Sequence, residues 1–193
     1  MKIFVDFDDT LMHTSQMKED VFSAHQITPT EELRDHYRAF RQDYPFSIEN
    51  FSSYLCDKGC DGKRLKDLFF QHAKQAHRYV FDDAASFLRS LQEAGHELVL
   101  LSFDTEPGPW QTPKIISSGL ADHFNRVQIT GGKKTDCIRE LQLNEPFVFI
   151  DDKPEEVEAM RAAFPNALCM KHDRGAPLTS HLDPIIAFTK SHS

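Results

Sequence analysis

The 193-residue chain reads as an α/β protein: a Rossmann-like doubly wound parallel sheet with a small all-helical cap inserted after its first strand. Three observations predict it. A short apolar run, Ile3-Phe4-Val5, opens the chain and ends in the carboxylates Asp6, Asp8 and Asp9. The next stretch, up to residue 79, has helical periodicity and no convincing strand pattern. From residue 82 onward, short apolar runs alternate with amphipathic segments, as in the strand–helix–strand units of parallel sheets. The predicted core domain is therefore residues 1–11 and 80–193, and the predicted cap is residues 12–79.

Each element follows in order. Met17 to His25 suits a short helix. Pro29-Thr30-Glu31-Glu32 is a helix start with Thr28 as the expected N-cap. Leu33, Tyr37, Phe40 and Tyr44 mark one face of that helix, and Pro45 ends it. Ser47, Ile48, Phe51, Tyr54 and Leu55 predict a second helix stopping near Gly59, and Asp61 to His77 a third. A helix from Asp82 to Ala94 ends at Gly95, followed by a strand from Glu97 to Ser102. Beyond a Pro- and Gly-bearing loop come a helix at Lys114–Ser118, a strand at Arg126–Thr130 and a helix at Thr135–Leu141. A strand at Phe147–Ile150, a helix at Pro154–Phe164, a strand at Ala167–Met170 and a helix at His181–Lys190 complete the chain.

Bulk composition narrows the class. Apolar residues form 40% of the chain and include 16 Phe, enough for a substantial core. A net charge of −8 repels nucleic-acid backbones, so no nucleic-acid polymer is expected as a partner. The longest apolar runs, Leu98–Leu101 and Phe147–Ile150, are too short to span a bilayer, so no membrane partner is expected. The N-terminus enters a strand at once without a leader pattern, and Cys56, Cys60, Cys137 and Cys169 read as free thiols of a cytoplasmic protein. Cys56 and Cys60 can share a helix face, but no suitably spaced His completes a zinc set. Sequence does not choose between a monomer and a homodimer.

Functional groups of open parallel sheets gather at the carboxyl ends of the strands. The first predicted strand delivers Asp6 and Asp8, two residues apart and on one side if the extended chain continues. Such carboxylates repel each other unless a cation neutralises them, as at a Mg2+ site beside a phosphate. The competing reading is a plain Asp-rich turn. The second strand ends in Ser102 and the fourth in Asp151-Asp152, with Gly131-Gly132-Lys133-Lys134 opening a helix between them.

With these residues in order, the chain resembles the haloacid dehalogenase-like (HAD) superfamily. Asp6, Asp8, Thr10 and Leu11 match its first motif, Ser102 its second, Lys134 its third and Asp151-Asp152 its fourth. The resemblance covers the whole core; the cap matches in position and type only. It implies Asp6 as a nucleophile that forms an aspartyl-phosphate and Asp8 as general acid and base. It implies Mg2+ held by the Asp6 carboxylate, the Asp8 backbone carbonyl and Asp151, with Asp152 as an outer ligand. Ser102 and Lys134 would bind the phosphoryl oxygens of a small phosphorylated substrate.

Local alternatives accompany each residue. Ser102 alone is also a plain strand end. Lys133 competes with Lys134, and Lys114 is a third candidate whose position suits an exposed helix face. Asp9 reads as structural or as a support behind the metal ligands, Glu155 and Glu156 as solvated acids in a first helical turn rather than ligands, and His13 as a hinge or surface residue rather than a substrate contact. The segment from Asp104 to Trp110 is either a wall of the active-site mouth or loop filler. Candidate substrate contacts in the cap are Tyr37, Arg38, Arg41, Tyr44, Lys58 and Arg64.

The resemblance thus implies a Mg2+-dependent phosphatase. Asp8 argues against a dehalogenase, which needs no general acid there. The lack of a zinc-binding loop argues against zinc-bearing relatives. A phosphotransferase or phosphomutase uses the same chemistry, and a catalytically idle phosphometabolite sensor is the rival from another class.

Overall fold

The computed structural model describes residues 1–105 and 110–192. β1 (Lys2–Val5) leads into four helices, α1 (Thr14–His25), α2 (Thr30–Asp43), α3 (Ile48–Asp57) and α4 (Gly62–Ala73), and a 3-10 turn at Ala76–Tyr79. The remainder alternates: α5 (Ala84–Glu93), β2 (Glu97–Phe103), α6 (Gln111–Ser117), β3 (Arg126–Thr130), α7 (Lys134–Glu140), β4 (Val148–Asp151), α8 (Pro154–Ala163), β5 (Leu168–Lys171) and α9 (Leu182–Ser191). The strands form one parallel sheet in the order β3-β2-β1-β4-β5. This is the predicted Rossmann-like α/β fold. The chain winds outward from β1 through β2 to β3, then returns to the other side of β1. The topological switch point therefore lies between β1 and β4, where ligands bind in open sheets of this kind.

Strand alternation separates two packing faces. Ile3, Val5, Leu98, Leu100, Val148 and Ile150 pack on the side of Phe87, Leu88, Leu91 and Ile185. Phe4, Val99, Leu101, Phe147 and Phe149 pack on the other, against Ile138, Val157 and Met160. The first cluster does not stop at the sheet. It continues through Phe7, Leu11, Met12 and Met17 to Phe22, Leu33, Phe51 and Phe69 of the helical segment.

The segment's two connections lie side by side. Met12 bridges Val80 in antiparallel fashion, His13 N–H donates to Tyr79 C=O at 2.7 Å, and Phe81 N–H donates to Leu11 C=O at 3.1 Å. Exposed His13 immediately precedes α1 and lies against the Phe81 ring, with centroids 3.7 Å apart.

Three local expectations change. Thr28 does not cap α2: its backbone N–H donates to His25 Nδ1 at 3.2 Å, and Pro29 takes the cap position without a side-chain bond. The helix expected to reach His77 ends at Ala73, and the 3-10 turn that follows brings the Tyr79 hydroxyl to Asp20 at 2.9 Å. α6 starts three residues early, at Gln111, whose N–H is taken by the Asp104 carboxylate at 3.2 Å. Among the described residues no helix is long and apolar enough to cross a membrane.

Two outcomes follow from this packing. Phe69 is fully buried and edge-on to Phe22 and Trp110. Phe69→Ala should cost about 3–5 kcal/mol in urea unfolding. His172 is buried beside His181, with Nδ1 to Nε2 3.2 Å, and burial pulls its pKa down to about 4. A lowered folded-state pKa means full stability above the ordinary value of about 6.5 and loss as pH falls toward 4. His172→Gln should flatten that stretch of the stability–pH curve; an unchanged slope would assign it to other groups.

Candidate active site

The switch point gathers the acids. β1 runs into Asp6, whose N–H still bonds Ile150 C=O at 2.9 Å, and β4 ends on Asp151. Ligand oxygens of Asp6, Asp151 and Asp152 lie within 4.8 Å of one another, all buried. Lys134, at the start of α7, stands between two of them: its Nζ is 2.5 Å from Asp6 Oδ1 and 2.6 Å from Asp151 Oδ2. Lys133, its sequence rival, is exposed.

Asp8 points elsewhere. Its carboxylate accepts from the Thr14 hydroxyl, from the Lys114 ammonium and from Gln111 Nε2 at 2.6 Å. The loop between β1 and α1 supplies this turn. Asp9 adopts φ 57°, a left-handed conformation that Asp tolerates, and its N–H donates to Met12 C=O at 2.8 Å. Asp9 in turn accepts from Ser15 N–H at 2.8 Å and from Ser15 Oγ at 2.7 Å. These bonds brace the first turn of α1 against the β1 loop.

Lys114 corrects the sequence reading. It is fully buried, not on an exposed face, because α6 turns it inward beneath Trp110. Its ammonium lies 4.9 Å from the Trp110 ring centroid and 5.6 Å from that of Phe7, besides pairing with Asp8. Ser102 is likewise buried, and Gln111 Nε2 donates to its Oγ at 2.6 Å while also reaching Asp8. Gln111 thus stands between the second-motif hydroxyl and the first-motif acid. Arg174, beyond β5, closes the other side: it contacts Asp152 at 2.6 Å and Asp9 at 3.0 Å. Sequence reasoning missed Thr14, Gln111 and Arg174. Arg174 carried a usable signal, lying just past a strand's carboxyl end, whereas Gln111 had none.

The electrostatics divide the acids into two kinds. Burial raises Asp6 to about 6, with the neighbouring Asp151 and Asp8 charges adding to it and Lys134 opposing. Burial also raises Asp151 and Asp152. For Asp8, Lys114 and the bonds from Thr14 and Gln111 outweigh burial and hold it well below the usual carboxylate range. Asp152 Oδ1 is buried without a hydrogen-bond partner among the described residues. Three buried carboxylates, two on Lys134 and the third on Arg174 with its other oxygen orphaned, form a donor set that fits a hard divalent cation.

A cavity of about 460 Å³ opens over Asp6, Asp8 and Asp9. α1 and α2 wall it with Thr14, Lys18, Phe22, Arg34, Tyr37 and Arg38, among others, and Trp110 lies at its edge. Of the substrate contacts expected in the helical segment, Tyr37, Arg38 and Arg41 line this cavity. Tyr44, Lys58 and Arg64 do not: Arg64 donates to His25 C=O at 3.0 Å, and Lys58 sits 5.4 Å over the Tyr54 ring. Glu155 and Glu156 occupy the first turn of α8, as expected. Glu106 to Pro109 lie outside the described residues. One further cluster was invisible in sequence spacing: α2 carries Glu32 and His36 to Cys60, with ligand atoms within 4.8 Å, although His36 already faces Glu32 at 3.7 Å.

A carboxylate cluster at the switch point of a doubly wound sheet defines an α/β protein whose site lies at the strands' carboxyl ends. The family model of haloacid dehalogenase-like hydrolases matches residues 3–163, and the chain belongs to that family. No protein of curated description matches the sequence. Among solved structures, a haloacid dehalogenase-like hydrolase from Burkholderia xenovorans is similar at TM-score 0.71 and 20% identity, over 86% of this chain and 78% of that one. The L-2-haloacid dehalogenase of Xanthobacter autotrophicus reaches 0.62 at 18% identity, over 84% and 74%. A β-phosphoglucomutase from Thermotoga maritima reaches 0.56 at 16%, over 89% and 86%. These likenesses establish the fold.

The Lys134 bridge has a direct test. Lys134→Met leaves Asp6 and Asp151 buried without their cation and should cost about 3–5 kcal/mol in urea at pH 7. Lys133→Met, at an exposed position, should change stability by no more than about 0.5 kcal/mol. Equal effects would mean that the buried ion pair is not what holds the strand ends together.

Proposed function

We propose that this chain is a Mg2+-dependent phosphohydrolase of small phosphorylated molecules, working through an aspartyl-phosphate on Asp6. The observation that carries the reading is Asp8. A second carboxylate stands beside the nucleophile candidate and opens onto the same cavity, held by three donors. Displacement of a halide needs no proton donor at that place, whereas an alkoxide leaving group does.

Asp6 would attack phosphorus through a carboxylate oxygen, forming the Asp6 O–P bond as the P–O bond to the leaving group breaks. Asp8 would give its proton to the departing oxygen, then take one from the water that attacks the phosphoenzyme, releasing inorganic phosphate and Asp6. In the resting arrangement Asp8 is the ionised form, suited to the second step. A phosphate dianion arriving beside it raises its proton affinity and competes for Lys114, so that Asp8 would take up from solvent the proton it gives in the first step. Asp6, raised to about 6, is mostly ionised at pH 7 and needs no base. Lys134 fixes the Asp6 carboxylate, and Gln111 places the Ser102 hydroxyl and Asp8 in one hydrogen-bonded set.

Mg2+ would be held by Asp6, Asp151, Asp152 and the Asp8 backbone carbonyl, and it supplies positive charge against the substrate's phosphate. The helices α1–α4 would serve as the cap that excludes water from the first step. Ser102 and Lys134 would bind phosphoryl oxygens once the substrate displaces their present partners. The reading carries with it a cytoplasmic monomer or homodimer without nucleic-acid or membrane partners. A phosphotransferase differs only in the acceptor, and adding sugar acceptors while following phosphate release separates the two.

The first assay is hydrolysis of an aryl phosphate with Mg2+ and with excess chelator. Activity should require Mg2+ and vanish in Asp6→Asn. Asp8→Asn should lose about 10²–10⁴-fold in kcat for alkyl phosphates and less for aryl phosphates with good leaving groups. Substantial turnover by Asp6→Asn would remove the nucleophile assignment, and halide release from a haloacid would favour the dehalogenase reading.

A further inference from the structure

Charge is distributed unevenly in the cavity. Its floor mixes Asp6, Asp8 and Asp9 with Lys114, Lys153 and Arg174; its wall on α1 and α2 carries Lys18, Arg34, Arg38 and Arg41 against a single acid, Glu19. The chain as a whole has net charge −8, so a cationic wall is not its average surface. Two of the four cations are already neutralised. Arg34 pairs with Glu19 at 2.5 Å and Glu31 at 2.8 Å, and Arg38 pairs with Asp35 at 2.6 Å and Glu31 at 3.4 Å.

The other two have no carboxylate partner among the described residues. Arg41 donates to the Tyr44 carbonyl at 3.1 Å. Half-buried Lys18 places its ammonium 5.5 Å from the Tyr37 ring centroid and 5.4 Å from that of Phe46, with no hydrogen bond among the described residues. Ring faces hold a cation in place but leave its three N–H donors open. An ammonium held partly out of water without an anion gains strongly when one arrives.

The helix sets the reach. Thr14 and Lys18 are four residues apart on α1, hence on one face, and both line the cavity. Lys18 is rooted one turn, about 6 Å along the axis, from Thr14, whose hydroxyl bonds the Asp8 carboxylate. A cavity of about 460 Å³ accommodates a small metabolite spanning that interval.

We infer that Lys18, together with Arg41, forms a subsite for a second anionic group, so that the substrate is a short phosphomonoester bearing a carboxylate or another phosphate at its far end. The inference rests on the phosphohydrolase reading and specifies which phosphomonoesters that site takes. The phosphoryl group meets the floor and the cation held there, while the distal anion meets the wall.

Calorimetric titration of the full-length Asp6→Asn protein in Mg2+ reads affinity without turnover. The probes are three matched pairs. 3-Phosphoglycerate against glycerol 3-phosphate, and 6-phosphogluconate against sorbitol 6-phosphate, exchange a carboxylate for a hydroxymethyl group. Fructose 1,6-bisphosphate against fructose 6-phosphate adds a second phosphate. In at least one pair the member with the extra anion should bind about tenfold tighter, and the pair that shows it identifies carboxylate or phosphate. Adding Lys18→Met should bring the ratio to about one, Lys18→Arg should keep it, and Arg41→Met, at an exposed position, should lower it. Equal affinities in all three pairs, or a preference that Lys18→Met leaves intact, would overturn the subsite. Aryl phosphate hydrolysis by the wild type keeps the two readings apart. Asp6-dependent turnover without an anion preference removes the subsite alone, and a Lys18-dependent preference without turnover removes the hydrolase reading alone.

Discussion

Everything at this strand end depends on one ammonium group. Lys134 joins Asp6 of the first motif to Asp151 of the fourth, across the switch point between β1 and β4. Without it, two adjacent parallel strands would end in facing buried carboxylates, and like charges in a poorly solvated place repel strongly. The lysine comes from α7, whose own packing partner is the opposite face of the sheet through Ile138. A helix that helps build the core therefore also sets the charge balance of the site. The balance is incomplete: Lys134 stands against two buried acids, Arg174 is divided between Asp152 and Asp9, and one Asp152 oxygen is left without a partner among the described residues.

Asp8 belongs to a different electrostatic region only two residues away. Lys114, Gln111 and Thr14 come from α6 and α1, so its environment is supplied by the elements that form the cavity walls. The two first-motif acids are thus tuned by separate parts of the fold. One is set by the sheet and its far-side helix, the other by the cavity's own lining. The separation suits the proposed reaction, in which the two acids act differently.

Much of the fold was legible in the sequence because its signals are local. Strand runs, helical spacing and breakers at Pro45 and Gly95 place most elements within a few residues of their positions, and β3 falls on Arg126–Thr130 as expected. The acids and Lys134 were legible because a parallel sheet delivers whatever follows each strand to one edge. What stayed hidden depends on tertiary packing. Lys114 looked like a surface residue because a seven-residue helix has too few turns to declare a face. Gln111 lies in a loop-to-helix transition set by the Asp104 carboxylate, which no periodicity encodes. Lys18 could not be told from other helix-surface lysines until α2 brought Tyr37 beneath it.

The paired connections of the helical segment have an architectural consequence. Leu11–His13 and Tyr79–Phe81 run antiparallel and are bonded to each other, so the chain leaves the core and returns at nearly the same point. Backbone atoms across such a pair lie about 5 Å apart. To the sheet, the whole excursion is equivalent to a tight turn. The junction works as a splice point, where a lineage can lengthen, shorten or exchange the intervening helices without shifting the register of a single strand. What must be remade each time are the segment's contacts with the core, among them the apolar packing at Phe7 and Leu11, Phe69 on Trp110, and Thr14 on Asp8. Selectivity can then diverge while the chemistry at the strand ends stays where it is.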